Sequence, residues 1–170
     1  MTLTAALLLA VLPFTPRFAP IVGQTLPDRL EIPVEGVAAE ALSDTYDDPR
    51  AGSARTHEAI DIMAPRGTPV VAATDGKIAK LFLSKPGGIT IYQFDRSEHV
   101  AYYYAHLERY AKGLGEGDEI RKGEVIGYVG TTGNAPANAP HLHFAMFVLG
   151  PAKRWWEGTA INPYPLLTRR

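Results

Sequence analysis

The sequence predicts a mainly β, antiparallel domain, and three observations carry that reading. Turn signals rich in glycine, proline and aspartate recur at short spacing from about residue 55 onward. The pieces between them are short and rich in β-branched and aromatic residues, which favour a pleated surface. Long helical periodicity is missing: "AEALSD" and "LERYAKGL" are read as a helical turn or two each.

Taken in order, residues 1–20, "MTLTAALLLAVLPFTPRFAP", read either as a signal sequence or as an N-terminal apolar segment that packs on the domain. It is too short to span a bilayer, and Pro13 interrupts it. Residues 21–50 are an irregular lead-in with one strand in "LEIPVEGV", and 51–170 form the main domain. Within it, "TPVVAAT" and "DGKIAKLFLS" are expected to pair as a hairpin about Asp75-Gly76. "GGITIYQF" and "HVAYYYAHL" flank a polar turn, Asp95–Glu98, and predict a second hairpin. "GLGEGDEIRKGEVIGYVGTTGNA" carries two short strands between glycine turns. "HLHFAMFVL" is a near-continuous apolar strand, buried on both faces or lining a cleft.

Composition bounds the chemistry. At 170 residues the chain has enough length for a real core, and a formal net charge of −1 gives no bias toward nucleic acid or anionic membrane. The chain has no cysteine, which excludes disulfides, thiolate zinc sites and a cysteine nucleophile. Any metal must be held by His, Asp, Glu or water.

Four of the five histidines lie in three β-rich pieces. In "APHLHFAMF", His141 and His143 sit two apart, so a strand would aim both at one point about 6.6 Å apart. Leu142 and Phe144 would face the other way. In "RTHEAIDIMAPRGTPV", His57 and Asp61 are four apart. On a helix they would share a face about 6 Å apart. In a straight strand they would lie roughly 13 Å apart, too far to share an ion. The alternation Ile60, Asp61, Ile62 before Pro65 and Gly67 favours a strand from near Asp61, with His57 on the bend entering it. In "YYYAHLERY", alternation gives His106 the phase of Tyr104 and Tyr102, with Tyr103 and Ala105 opposite. Tyr102, Tyr104 and the Trp155-Trp156 pair are candidates to line a groove, and the tryptophans read equally well as packing over the domain. His99, after "DRSE", is read as a surface residue. Two histidines and one carboxylate are the protein ligands of a catalytic zinc site that keeps one position open.

The order of these pieces resembles the lysostaphin-like (LytM-type) zinc metalloendopeptidases, which cut peptides of bacterial peptidoglycan. The resemblance runs from about Arg55 to Phe144, and "WWEGTAINPYPLL" looks like the tail of one branch. It implies an antiparallel β-sheet with a substrate groove. It implies Zn2+ held by His57, Asp61 and His143, with His106 and His141 as catalytic histidines. It also implies a peptidoglycan peptide as substrate and export to the periplasm or cell envelope, with no nucleic acid and no stable membrane span. Glu58 adds a carboxylate near the mouth of such a site. A second reading is a catalytically silent LytM-type domain that binds and activates another cell-wall hydrolase, with a regulatory protein partner. A third, a biotinyl-, lipoyl- or phosphorelay-type domain, fits "EGDEIRKGEVIGYVG" but lacks the modified-lysine turn and leaves His57 and Asp61 without a task.

Overall fold

The computed structural model describes residues 26–50 and 55–169; the apolar segment at 1–20 lies outside them. A 3-10 turn at Ala39–Ala41 precedes a small ladder of β1 (Pro49–Arg50) and β2 (Arg55–Thr56). Next come β3 (Ile60–Met63), β4 (Pro69–Val71), β5 (Gly76–Ser84), β6 (Gly88–Asp95) and β7 (Val100–Tyr110). They are followed by β8 (Glu119–Ile120), β9 (Val125–Val129), β10 (His141–Leu149) and β11 (Gly158–Ile161). A five-residue helix, α1 (Tyr164–Thr168), ends the described chain. Among the described residues no helix is long and apolar enough to cross a membrane.

β3 through β11 make one nine-stranded antiparallel sheet. Its main path runs β11-β10-β7-β6-β5-β8, with β3 also on β10, and β9 joining β4 to β7. One face is the core. Tyr102, Tyr104, Ile91, Leu142, Phe144 and Met146 are all fully buried there, each large apolar side chain contributing roughly 1.5–3 kcal/mol. Beneath the sheet, the Tyr104 hydroxyl accepts from the Ala73 N–H at 2.9 Å and donates to Gln93 Oε1 at 2.5 Å. The Gln93 amide donates on to the Thr74 carbonyl at 2.7 Å, so three segments are tied by one polar chain. The lead-in packs on the same core through Leu30 and Val34. Its "LEIPVEGV" contributes a single bridge, Val34 to Val70.

The hairpin about Asp95–Glu98 forms as the sequence indicates, closed by Glu98 N–H to the Asp95 carbonyl. The hairpin expected at Asp75-Gly76 does not form. β4 pairs with β9, and β5 pairs with β6 and β8. The segment between them is held elsewhere, since Ala72 exchanges backbone hydrogen bonds with Gly123 and Glu124. Gly76 is required for space: a Cβ there would meet the Phe94 carbonyl oxygen at 1.9 Å. Nor is "LERYAKGL" helical, because Leu107–Tyr110 finishes β7 against β9.

The element that positions the site is a fork. β10 pairs with β7 only as far as Ala105, and β9 takes over that edge of β7 from Leu107. His106 sits at the fork.

Candidate metal centre

Four segments bring five side chains to one cleft. β10 supplies His141 and His143 by plain alternation, with Leu142 and Phe144 buried on the opposite face. β3 lies beside β10 with Asp61 directly opposite His143. His57 sits on the bend before β3, as the spacing indicates. Its turn is set by Glu58, whose φ of +54° is left-handed, and by His57 N–H to Asp48 O and Glu58 N–H to Tyr46 O.

His106 reaches the cleft by a different route. Its φ is +60°, and the β6–β7 register slips between Ile89 and Ile91, where one extra β7 residue bulges out. The bulge resets the alternation. His106 therefore lines the cleft with Tyr103 and Ala105, not the core with Tyr102 and Tyr104 as the uninterrupted pattern implies. For the same reason Tyr102 and Tyr104 do not line the groove; Tyr103 does. Trp155 packs on Tyr92 and Phe82, with ring centroids 4.8 and 5.2 Å apart, outside the cleft lining. His99 is half-buried at the Asp95–Glu98 turn, away from the cleft.

His57 Nε2, His143 Nδ1 and Asp61 Oδ1 form a triangle with edges of 3.0, 3.0 and 3.1 Å. A tetrahedron whose bonds are about 2.0–2.2 Å long has edges of roughly 3.3–3.6 Å. The three atoms therefore converge as corners of such a site and need to spread by only a few tenths of an ångström to hold an ion. His57 Nδ1 donates to the Thr45 carbonyl at 2.9 Å, so in the neutral ring Nε2 is a lone pair. That lone pair faces the Asp61 carboxylate oxygen, and two acceptors at this distance repel unless a proton or cation lies between them. The donor set fits zinc, being two imidazoles and a carboxylate with one side open.

The two remaining rings are held the same way. His106 Nδ1 donates to Thr132 O and His141 Nδ1 to Ala139 O, each at 2.8 Å. A carbonyl only accepts, so both neutral rings carry their lone pair on Nε2. The His141 Nε2 lies 3.8 Å from Asp61 Oδ1, and the His106 ring centroid is 5.0 Å from that of His141. Burial lowers the His106 pKa to about 4, helped by the neighbouring His143 and His141 and opposed by the Thr132 bond and Asp61. Burial alone would raise the Asp61 carboxyl, yet the His143 and His57 rings, which when protonated donate to it and carry charge, hold it well below the usual carboxylate range.

Three positions that sequence reasoning missed do the orienting. Thr45 gives its carbonyl to His57 and its hydroxyl oxygen to the Asp61 N–H at 3.1 Å. Thr132 gives its carbonyl to His106, while its hydroxyl donates to Leu107 O at 2.7 Å and accepts from Ile89 N–H at 3.0 Å. The Ala139 carbonyl orients His141. Carbonyls carry no residue signature, so only the threonine hydroxyls offered a signal. Gly88 and Gly133 let the two loops over His106 meet: both have positive φ, and a Cβ on Gly133 would strike Pro86 O at 2.3 Å. Their close approach is to each other.

The cleft has a volume of about 610 Å³ and is lined by Thr56, Glu58, Pro86, Gly87 and Asn134 around the histidines and Tyr103.

The chain is similar to known proteins in sequence and in fold. The model of peptidase family M23 matches residues 55–163. The chain is 34% identical over 131 residues to an L-Ala–D-Glu endopeptidase of Bacillus subtilis, covering 72% of this chain and 38% of that protein. It is 39% identical over 97 residues to the DD-carboxypeptidase/endopeptidase Mpg of Neisseria meningitidis, covering 56% of this chain and 21% of Mpg. The chain thus spans well under half the length of either relative. Among solved structures, the catalytic domain of lysostaphin from Staphylococcus simulans superposes with a TM-score of 0.60 at 30% identity, over 73% of this chain and 89% of that domain.

Proposed function

The chain belongs to peptidase family M23, and from that premise we propose that it is a zinc-dependent endopeptidase acting on the peptides of bacterial peptidoglycan. One observation carries the reading: three ligand atoms 3.0–3.1 Å apart share a cleft with two buried imidazoles, each oriented by a backbone carbonyl.

His57, Asp61 and His143 would hold the ion. Zinc bound there supplies Lewis acidity, polarising the scissile carbonyl and making water more acidic. The chain's own residues supply the rest. His106 is neutral at pH 7 because of its burial, so its Nε2 accepts a proton from the attacking water. His141 presents Nε2 from the neighbouring strand, where its protonated form donates to the developing oxyanion, and the proton taken up by His106 passes to the leaving amine. Because both Nδ1 atoms donate to fixed carbonyls, the rings do not have to reorient between these steps. Asp61 supplies the negative charge that offsets the ion in a half-buried site. Such a reaction takes place in the periplasm or cell envelope, where the substrate is.

The test is digestion of purified peptidoglycan by the zinc-loaded protein with and without a chelator, followed by mass spectrometry of the products. Release of peptide fragments that stops with the chelator and returns with zinc supports the proposal. Stoichiometric zinc with no release from walls of several chemotypes would overturn it in favour of the silent activator.

A further inference from the structure

Apart from Asp61 in the metal cluster, Glu58 is the carboxylate that lines the cleft. It is exposed, and among the described residues no lysine, arginine or histidine pairs with its carboxylate. Its backbone is pinned. The Glu58 N–H donates to Tyr46 O at 2.9 Å and the preceding His57 N–H to Asp48 O at 3.0 Å. The left-handed φ of +54° therefore fixes where the side chain leaves the chain, directly beside a metal-cluster histidine. Pro86, Gly87 and Asn134, which also line the cleft, are uncharged. The phenol of the neighbouring Tyr46 is made less acidic first by its burial and then by the Glu58 and Asp47 carboxylates.

We propose that Glu58 is a specificity determinant that selects peptides bearing a free ammonium group, namely stem peptides whose diamino residue keeps its side-chain amine uncrosslinked. The inference rests on the peptidase reading and deepens it. A cation bound at the floor would make that end of the cleft positive, suited to the scissile carbonyl, while the Glu58 wall remains the place for a positive substrate group. An ammonium seated there gains a charge-assisted contact at a half-open site, worth a fold-change rather than all-or-none recognition.

The experiment uses two soluble stem peptides that differ only in acetylation of the side-chain amine, with zinc-loaded wild type, Glu58→Gln and Glu58→Gly. Wild type is expected to favour the free amine in kcat/KM by roughly five- to tenfold at low salt. That ratio should shrink as ionic strength rises. In Glu58→Gln, which keeps the backbone and shape, the ratio should fall to near one. Glu58→Gly should show the same loss of preference together with a higher Tm, because glycine accepts the left-handed backbone without strain. That pairing separates the charge from the conformation. A wild-type ratio near one, or a ratio unchanged in Glu58→Gln, overturns the inference. Should neither peptide be cleaved, the peptidase reading fails instead, and calorimetric binding of the same two peptides to wild type and Glu58→Gln reads the amine preference without turnover. Equal affinity there overturns it as well.

Discussion

β7 and β10 are neighbouring strands that both deliver histidines to the cleft, and they do so by opposite means. β10 keeps strict alternation over its nine residues, with His141 and His143 on one face and Leu142, Phe144 and Met146 in the core. β7 breaks alternation at the fork: His106 takes φ +60°, an extra residue bulges out, and the strand changes partner from β10 to β9. A non-glycine residue at positive φ costs on the order of 1–2 kcal/mol, so the bulge persists only because its surroundings enforce it. The enforcement is visible in the His106 N–H bond to Gly87 O and in the three hydrogen bonds of Thr132. One strand gets its histidines from packing; the other gets its histidine from a polar clamp.

The largest effects test whether these two routes serve one site. His106→Ala and His141→Ala are each expected to lower kcat by about 10²–10⁴-fold while zinc stays stoichiometric by atomic absorption. Asp61→Ala and His143→Ala should lose zinc itself, and activity with it. Equal metal loss in all four variants would erase the division between ligands and proton-handling rings.

The next two changes separate packing from clamp. Leu142→Ala removes a fully buried side chain from beneath the paired histidines of β10. It should cost about 2–5 kcal/mol in denaturant unfolding, with kcat per folded molecule close to wild type, because neighbouring strands still hold the face. Thr132→Val should reverse the balance. It removes a hydroxyl that bridges Leu107 O and Ile89 N–H, at a cost of about 1–3 kcal/mol in stability. The kcat should drop disproportionately, because the carbonyl that aims His106 is no longer fixed. A Thr132→Val enzyme with wild-type kcat would mean the bulge is held by packing after all.

What could be read from the sequence divides along the same line. The antiparallel class, the Asp95–Glu98 hairpin, the bounds of β10, and His57 on the bend before Asp61 all follow from periodicity and spacing, because they are local. The phase of His106 does not follow. Its bulge depends on where β9 displaces β10 along β7, which is a long-range register that no window of residues contains. Gly76 misled for a related reason: Asp-Gly is a turn signal, but here the glycine answers the Phe94 carbonyl across the sheet. The roles of Thr45, Thr132 and Ala139 were hidden because each acts wholly or partly through a backbone carbonyl.

The smallest effect tests the core face that both strands share. Tyr102 and Tyr104 are adjacent on that face and equally buried, yet their hydroxyls differ. The Tyr104 hydroxyl bonds to Ala73 and Gln93, while that of Tyr102 is buried with no hydrogen-bond partner among the described residues. Burial pushes both phenols well above the usual tyrosine range. An unpaired buried hydroxyl carries a desolvation cost that a phenyl ring avoids. Tyr104→Phe should therefore destabilise by about 1–3 kcal/mol, because it strands the Ala73 N–H and a Gln93 oxygen. Tyr102→Phe should be neutral or stabilising by up to about 1 kcal/mol in the same unfolding experiment, with zinc content and kcat unmoved. A Tyr102→Phe protein as destabilised as Tyr104→Phe would mean that its hydroxyl is satisfied by buried water. The core under the histidines would then be polar at two neighbouring positions of β7, whereas under β10 it is apolar throughout Leu142, Phe144 and Met146.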